Sequence, residues 1–365
     1  MDTGTYTYSS LSSKYKDFRA PDFEITVGST KLDNNEMNVS DLTVDITAGY
    51  EAGGCSFTIN NLYDYKNSKF LQSITNTVKV GEKLSVKTGY ITKKEVFKGY
   101  IDQMTVEYGD RPPFIRVEGI DAKGFLMNSN TRYYLNKTSL ADAVNKMLNE
   151  CVSKGYASKV TKGAISGFTA ELVQNDIDDY RFLVHVAELL GLSFFVVNGE
   201  IVFDDVISKT SSIISLTSGD SLLSFSRTLS LYKQIGKVVV HSIDPKTGKS
   251  IKGEAASVSL SGTGSSAPVM VSKFKDLTET EYNYLVKTDV ECKKLAQARL
   301  DARAMDFVSG EGCCLGIPEL IPGRYIELDG MDSNTNGKYF ISSVRHVYGD
   351  EGYRTYFGVK GAKAK

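Results

Sequence analysis

The sequence has few of the residues and patterns on which many enzymes, metal proteins and membrane proteins depend. Its 365 residues include three histidines, seven prolines and no tryptophan, and no apolar run approaches the ~18 residues of a membrane-spanning helix. Acidic and basic side chains, 44 and 43, nearly cancel, which argues against bulk nucleic-acid binding because that requires a basic face. Residues 1–20 lack the apolar segment of a secretory signal.

Cysteine is also scarce, and its pattern indicates a reducing compartment. The five cysteines are Cys55, Cys151, Cys292, Cys313 and Cys314, an odd number in a long chain, so a disulfide framework is not expected. No CxxC pair occurs. We therefore interpret Cys313 and Cys314 as small buried apolar residues of a strand rather than metal ligands or a redox pair.

Many Tyr and Gly residues, 21 and 32, indicate β-structure with frequent turns. The length is typical of two or three domains. Residues 1–125 contain short alternating segments without long helices between them, and this pattern predicts a small antiparallel barrel or sandwich, with its longest strand bending at Gly99. The segments are Asp22–Val27, Asp41–Thr47, Cys55–Ile59, Gly81–Thr88, Val96–Tyr108 and Phe114–Ile120.

Residues 126–215 predict a small α/β middle module. Helical spacing of apolar residues covers Thr138–Val152, where Ser139 and Asp142 form a capping pair and Gly155 ends the helix. A second helix is predicted over Asp178–Leu190, and its two leading carboxylates complement the helix dipole. Asn198-Gly199 then joins two strands, since this pair suits a type I′ hairpin turn.

Residues 216–365 predict a second β-barrel with an inserted loop and a long helix. The helix is expected over Glu281–Phe307, with an apolar face formed by Leu295, Ala298, Ala302 and Met305. The loop is Ser261–Pro268. The fold class predicted for the whole chain is mainly β with α+β parts, built from two similar tube-like antiparallel barrels and the middle module.

An internal repeat supports two similar barrels. Tyr108-Gly109-Asp110 and Tyr348-Gly349-Asp350 lie in register with three strands each, at an offset of about 240 residues. Gly81 matches Gly323 in the same alignment. The segments 41–61 and 222–244 are expected to supply the preceding hairpin of each copy. Three such chains would present six similar barrels, so a threefold assembly could dock on a sixfold one.

The layout resembles the hub proteins of contractile injection machines, which include phage late control protein D and the N-terminal part of VgrG spikes. The matching residues are, in order, Ala296–Arg303, Gly310-Glu311-Gly312, Cys314-Leu315-Gly316, Pro322-Gly323, Gly337 with Tyr339, and Ser343–His346, with Val96–Asp102 in the first barrel. The resemblance covers about residues 20–361.

The resemblance implies a homotrimer with two tube-like barrels per subunit that caps the inner tail tube and carries the spike. VgrG chains continue into a spike, whereas this sequence stops at Lys365, so a separate spike protein is expected. The partners implied are the chain itself, the tube protein and that spike, with tape-measure protein and baseplate wedge components as further candidates. The expected location is the cytoplasm during assembly and then a phage tail or tail-like particle.

No residue is predicted to act in catalysis or to bind a cofactor or metal. The three histidines, His185, His241 and His346, lack metal-ligand spacing and are interpreted as structural. The carboxylate pairs Asp178-Asp179 and Asp204-Asp205 are adjacent in sequence, whereas glycosidase carboxylates face each other across a cleft.

Two further motifs have structural interpretations. Residues 262–267 formally fit GxGxxA, but Pro268 and a Val-Met-Val run follow where a dinucleotide site needs a helix to begin. We therefore expect a mobile loop. In the helix over 288–307, Lys293, Lys294, Arg299 and Arg303 alternate with acidic residues, which indicates a solvated or intersubunit face rather than a nucleic-acid site.

The predicted function is a structural, non-enzymatic baseplate hub. Two alternatives belong to the same particle. One is a cell-wall hydrolase, against which the lack of a carboxylate or histidine constellation counts. The other is a carbohydrate-binding component, suggested by the tyrosine and β content. No nucleic-acid specificity and no membrane segment are expected.

Overall fold

The fold was analysed in a computed structural model of the whole chain. It describes residues 1–32, 38–60, 62–70, 72–129, 139–163, 165, 174, 177–244, 246–260 and 262–365. Thr138 and Ser261, which begin the first predicted helix and the predicted loop, lie outside these residues. The chain is mainly β, with 43% strand and 19% helix, so the predicted fold class is confirmed.

The secondary structure alternates strand-rich and helix-containing stretches. The helices are α1 (Tyr8–Lys14), α2 (Gln72–Thr77), α3 (Ala122–Met127), α4 (Leu140–Ser153), α5 (Asp179–Leu190), α6 (Ala267–Ser272) and α7 (Asp289–Ala304). The strands up to residue 121 are β1 (Asp22–Val27), β2 (Thr30–Lys31), β3 (Val39–Thr47), β4 (Gly54–Ile59), β5 (Tyr63–Asp64), β6 (Lys69–Phe70), β7 (Lys83–Gly89), β8 (Lys93–Glu107) and β9 (Phe114–Asp121).

The later strands are β10 (Lys159–Lys162), β11 (Ser193–Val197), β12 (Glu200–Asp204), β13 (Ser212–Thr217), β14 (Leu222–Leu229), β15 (Lys237–Ile243), β16 (Ser250–Ala255), β17 (Ser265–Ser266), β18 (Thr278–Tyr282), β19 (Val308–Leu315), β20 (Tyr325–Asp329), β21 (Gly337–Gly349), β22 (Gly352–Gly361) and β23 (Lys363–Ala364).

One curled, largely antiparallel sheet of 13 strands dominates the fold. Its order is β14-β19-β22-β21-β3-β4-β9-β8-β7-β1-β2, and β20 lies beside β21 with β13 beside β20. Alternate side chains of most of its strands enter one large apolar core, as in β3, where Leu42, Val44 and Ile46 are buried while their neighbours are not. The sheet therefore has one apolar face and one polar face.

The sheet contains the same five-strand unit twice. The first unit has the order β3-β4-β9-β8-β7 and the second has the order β14-β19-β22-β21-β20. In the hairpins β8–β9 and β21–β22 the pairing has the same register 240 residues apart: Tyr100 lies opposite Ile120, and Phe340 lies opposite Lys360. The predicted repeat thus corresponds to a repeated topology.

A bulge also repeats at this offset, between Ile101 and Gln103 in β8 and between Ile341 and Ser343 in β21. Next to it, the amide of Gly81 donates to the carbonyl of Ile101 at 2.8 Å, and the amide of Gly323 donates to that of Ile341 at 2.9 Å. Both glycines have positive φ, +88° and +79°, a conformation that favours glycine.

Two smaller modules flank this sheet, each with its own core. The first contains α3, α4, α5 and the strands β10, β12 and β11, and buries Val144, Met147 and Phe194. The second contains α7 packed on the three-stranded sheet β16-β15-β18, with Val238, Val240 and Leu295 between them. Its residues lie within 230–307, an insertion between the first two strands of the second unit.

Local signals in the sequence correctly located several elements. Ser139 caps α4, since its hydroxyl accepts from the Asp142 amide at 3.1 Å. Asp178 caps α5 in the same way, with 2.7 Å to the Arg181 amide. Asn198 and Gly199 have φ angles of +51° and +72°, so they form the predicted hairpin turn between β11 and β12.

The structure corrects the predicted long helix. Helix α7 begins at Asp289, capped by Thr288, and the preceding residues Thr278–Tyr282 form strand β18, which pairs in parallel with β15. Its buried face includes Leu295 and Met305, as predicted, but Ala302 is exposed and Ala298 is only half-buried. Ala298 instead faces Gly191, where a Cβ atom would lie 2.8 Å from that of the alanine.

Three other expectations differ from the structure. The segment 236–243 does not pair with β14, because the partner of β14 is β19, more than 70 residues later in the chain. The irregularities in β8 fall at Val96 and Asp102 rather than at Gly99. Gly99 is required for another reason, because a Cβ there would lie 2.0 Å from the Ile120 carbonyl oxygen. A short helix, α6, does begin at Ala267, within the segment expected to be a loop.

Candidate assembly interface

The histidines do not converge on a site. His185 is exposed on α5, and His241 stacks on Tyr282 with ring centroids 5.4 Å apart and an interplanar angle of 22°. His346 is buried, and its Nδ1 lies 3.1 Å from the Thr355 hydroxyl and 3.0 Å from the Tyr353 hydroxyl. Burial lowers the pKa of His346 to about 3, so its ring is neutral near neutral pH.

The cysteines have the predicted location on a strand. Cys313 and Cys314 are buried in β19, and burial raises the pKa of the Cys314 thiol, which keeps it protonated. Among the described residues no group of three or more His, Cys, Asp or Glu side chains could hold a metal ion. Within the same residues no helix has the length and apolar character that crossing a membrane requires.

The carboxylate pairs have local partners. Asp178 caps α5, and the buried Asp179 accepts a hydrogen bond from the Gln174 amide at 2.9 Å. Asp204 forms an ion pair with Lys209, and Asp205 accepts from the Ser208 amide at 3.1 Å. These contacts stabilise a helix end and a turn rather than place two carboxyl groups across a cleft.

The glycine-rich segment packs closely against the end of the chain. A Cβ atom on Gly264 would lie 2.0 Å from the carbonyl oxygen of Ala364, because strand β23 pairs with β17 directly beside it. The basic side chains of α7 are partly neutralised within the chain: Arg299 binds Glu281 at 3.0 Å, and Arg303 binds a carboxylate of the same strand. Both segments therefore have structural contacts within the chain.

The site with the most developed geometry is the junction between the two units. Strand β3 of the first unit pairs antiparallel with the second half of β21, from Ser343 opposite Thr47 to Tyr348 opposite Leu42. The first half of β21 pairs with β20 instead. Along one edge, β21 therefore pairs first with a strand of its own unit and then with a strand of the other unit.

Tyr348 anchors this junction. Its ring stacks on Tyr353 with centroids 4.2 Å apart, and its hydroxyl donates to the Asp22 carbonyl at 2.8 Å and accepts from the Gly89 amide at 3.1 Å. Only 8% of the residue is exposed. Burial raises its pKa well above the usual value. The motif that revealed the repeat is thus, in its second copy, a contact between the units.

On the polar face of the junction, Arg345 forms an ion pair with Asp45 across β21 and β3. Around this pair lies a groove of about 710 Å³, lined mainly by small hydroxyl side chains, glycine and charged groups. The lining residues include Thr43, Thr47, Ser343, Tyr356 and Gly358. The polar face of the sheet is therefore concave here and open to solvent.

Several strands of the long sheet have one open side, among them β2 and β13, and two of these open sides hold equivalent places in the repeat. In the part of the chain that the structure describes, β14 has no strand on its outer side, and the second half of β8, Gln103–Glu107, has no strand on the side opposite β9. Tyr108, at the end of this half, is 65% exposed, in contrast to its repeat counterpart Tyr348. Leu229, at the end of β14, is 48% exposed.

Sequence reasoning identified the repeat but missed these edges, because pairing partners far apart in sequence leave no local signal. One signal was present in the two Tyr-Gly-Asp motifs. They are alike in sequence, but only the tyrosine of the second motif is buried within the chain.

The comparisons with known proteins found one matching family model and several solved structures of similar fold. A family model described as the Alg8 N-terminal domain matches residues 21–350. No curated protein sequence matches the chain. The 43 kDa tail protein of prophage MuSo2 from Shewanella oneidensis has a similar structure, with a TM-score of 0.70 and 16% identity over 93% of this chain and 98% of that one.

Two further solved structures are similar. The tail protein from Neisseria meningitidis MC58 gives a TM-score of 0.67 at 13% identity, covering 94% of this chain and 97% of that chain. The E. coli c3393 protein, a component of the type VI secretion system, gives 0.54 at 12% identity, covering 92% and 76%. At these identities the likeness establishes a shared fold.

Proposed function

The chain belongs to the family described as the Alg8 N-terminal domain, and from the fold that it shares with phage tail proteins we propose that it is a structural baseplate hub. Three copies form a ring that joins the inner tail tube to a central spike in a contractile phage tail, a bacteriocin-like particle or a secretion apparatus. The role is mechanical: the ring matches symmetries, transmits load and leaves a channel open.

The repeated unit is the observation that carries this proposal. Two units with the same strand order, bulge and register can occupy equivalent positions in one ring. A ring of three chains then offers six similar positions, and a sixfold tube can contact each of them in nearly the same way. A chain with a single such unit would have to assemble as a hexamer to offer the same surface.

The polar face of the sheet is the surface we assign to the channel. At the groove between the units it presents hydroxyl groups and the Asp45–Arg345 pair without a block of like charge. The apolar lining residues are Ile46, Ala52, Val344, Val347 and Phe357, of which Ile46, Val344 and Phe357 are buried. Such a wall attracts an extended polypeptide only weakly, which suits passage of tape-measure protein and later cargo. The apolar face is already occupied by the core.

The remaining sequence expectations are proposals of the same kind. We propose a first barrel unit in residues 1–125, the α/β module in 126–215 and the second unit with its insertion in 216–365. The proposed partners are a second and third copy of the chain, the tube protein, the spike, and wedge components. We propose a non-enzymatic protein that is cytoplasmic during assembly and then part of the particle.

Light scattering coupled to size exclusion tests the ring. Three chains of 40.1 kDa give about 120 kDa. A clean monomer across a wide range of protein concentration contradicts the proposal. The alternative, a cell-wall hydrolase or carbohydrate-binding component of the same particle, predicts turnover or binding of purified peptidoglycan by the same preparation.

A further inference from the structure

We propose that two of the open strand edges of the sheet, those of β14 and of the second half of β8, pair with each other between copies of the chain. Strand β14 of one copy lies antiparallel to Gln103–Glu107 of β8 and the following Tyr108 in the next copy. This inference rests on the proposed function and deepens it, because it names the surfaces that join the chains and the register in which they meet.

The junction inside the chain is the template. There the second half of β21 accepts β3, the first strand of the other unit. The residues 240 positions earlier than Ser343–Tyr348 are Gln103–Tyr108, which occupy the same place in the first unit, beyond the same bulge. These are the residues of β8 whose outer edge is open. In the first unit this half of the strand edge is unpaired, whereas in the second unit the equivalent half pairs with β3.

Strand β14 is the counterpart of β3. Each is the first strand of its unit and pairs with the second strand, β4 or β19. Asp45 and Thr228 hold equivalent positions in the two units. Two strands across the sheet from Asp45 lies Ile120, and two strands across from Thr228 lies Lys360. Ile120 and Lys360 are 240 residues apart. The strand that the open half of β8 lacks is therefore present in the chain as β14, whose outer side is free.

These correspondences fix the register between copies. Arg345 lies opposite Asp45 at the internal junction, so Thr105 of one copy lies opposite Thr228 of the next. One position further along, Met104 lies opposite Leu229, where Val344 faces Ile46 within the chain.

Burial supports the same register. At the internal junction Ile46 is 4% exposed, whereas its counterpart Leu229 is 48% exposed in the free chain. Tyr348 is likewise buried at the internal junction, whereas its counterpart Tyr108 is exposed. An apolar side chain that is buried in one copy of a repeated interface and exposed in the other indicates that the second interface forms with another molecule. Open strand edges supply the unpaired main-chain groups for that contact.

Cysteine cross-linking measures the register directly. Directly opposite residues of antiparallel strands have Cα atoms about 4.5–5.5 Å apart, within the range of about 4.4–6.8 Å that a disulfide spans. The variant Thr105→Cys/Thr228→Cys should form covalent dimers and trimers under mild oxidation. The matched control Thr105→Cys/Ser226→Cys shifts one cysteine by two residues, to a diagonal beyond about 7 Å, and should cross-link at least tenfold more slowly.

The native cysteines interfere little, because all five are buried. Each single variant, Thr105→Cys and Thr228→Cys, should stay monomeric on a non-reducing gel. A covalent dimer from Thr228→Cys alone would show β14 pairing with itself, and it would overturn the proposal. Equal cross-linking of the matched and shifted variants would also overturn it.

Light scattering on the same samples separates this inference from the proposed function. A mass near 120 kDa without cross-linking at Thr105 and Thr228 overturns the edge pairing but leaves the ring. Cross-linking in the expected register that continues into long open chains confirms the edge pairing but contradicts threefold closure. A monomer without cross-links contradicts both.

Discussion

Helix α7 packs against the small sheet with almost no space at Gly253, so replacing this glycine with alanine should strongly perturb the second module. Gly253 lies in β16, and a Cβ atom there would be 2.1 Å from the backbone nitrogen of Lys293 and 2.3 Å from the carbonyl carbon of Cys292. Both are main-chain atoms of the helix. A rotamer change cannot relieve the clash.

The size of the effect follows from that distance. Non-bonded heavy atoms attract at about 3.5–4.0 Å, so α7 must withdraw by about 1.4 Å or more. Overpacking of this kind costs about 1–3 kcal/mol, and the upper half of the range applies here because a whole helix has to move. The helix also contacts α5 through Ala298 and Gly191, so its displacement loosens that contact as well.

Urea unfolding and hydrogen exchange check this prediction. We expect Gly253→Ala to lower the free energy of unfolding by about 2–3 kcal/mol and to speed amide exchange in α7. The control is Gly109→Ala, since no atom lies within 4 Å of a Cβ at Gly109 and its φ is not positive. Equal stability of the two variants, within about 0.5 kcal/mol, would refute the packing argument.

Three other predictions follow from single residues. Leu229→Asp should lower the oligomer mass seen by light scattering, because it places a charge in the proposed interface, whereas Ile243→Asp, on another exposed strand, should not. His346 is neutral in the folded state, so as the pH falls from about 6.5 to about 3 the unfolded chain binds one more proton than the folded chain. The free energy of unfolding should therefore drop by about 1.4 kcal/mol per pH unit over this range. The drop should be smaller in His346→Gln. Ser139→Ala should cost about 1 kcal/mol in thermal unfolding, and no change would contradict the cap.

Elements fixed by neighbouring residues could be predicted from the sequence. The cap at Ser139, the stop at Gly155 and the turn at Asn198-Gly199 each depend on the backbone preferences of one or two residues. The repeat was also visible, because similar strands in similar environments select similar residues at the same spacing.

Elements fixed by distant partners could not be predicted in this way. The long helix was predicted to begin at Glu281, yet Thr278–Tyr282 form a strand because β15 offers them a parallel edge. The pairing of β14 with β19 across the insertion is of the same kind. The junction of β3 with β21, from which the assembly surfaces were inferred, also joins strands that are far apart in the sequence.

The junction inside the chain has a consequence for how assembly responds to dilution. Because β3 and β21 are covalently linked, they meet at an effective concentration of the order of millimolar, whatever the concentration of the protein. In the proposed ring, half of the six unit-to-unit contacts are therefore insensitive to dilution. Growth of the ring requires only three molecules to find each other, and a diluted ring separates into paired units rather than single ones.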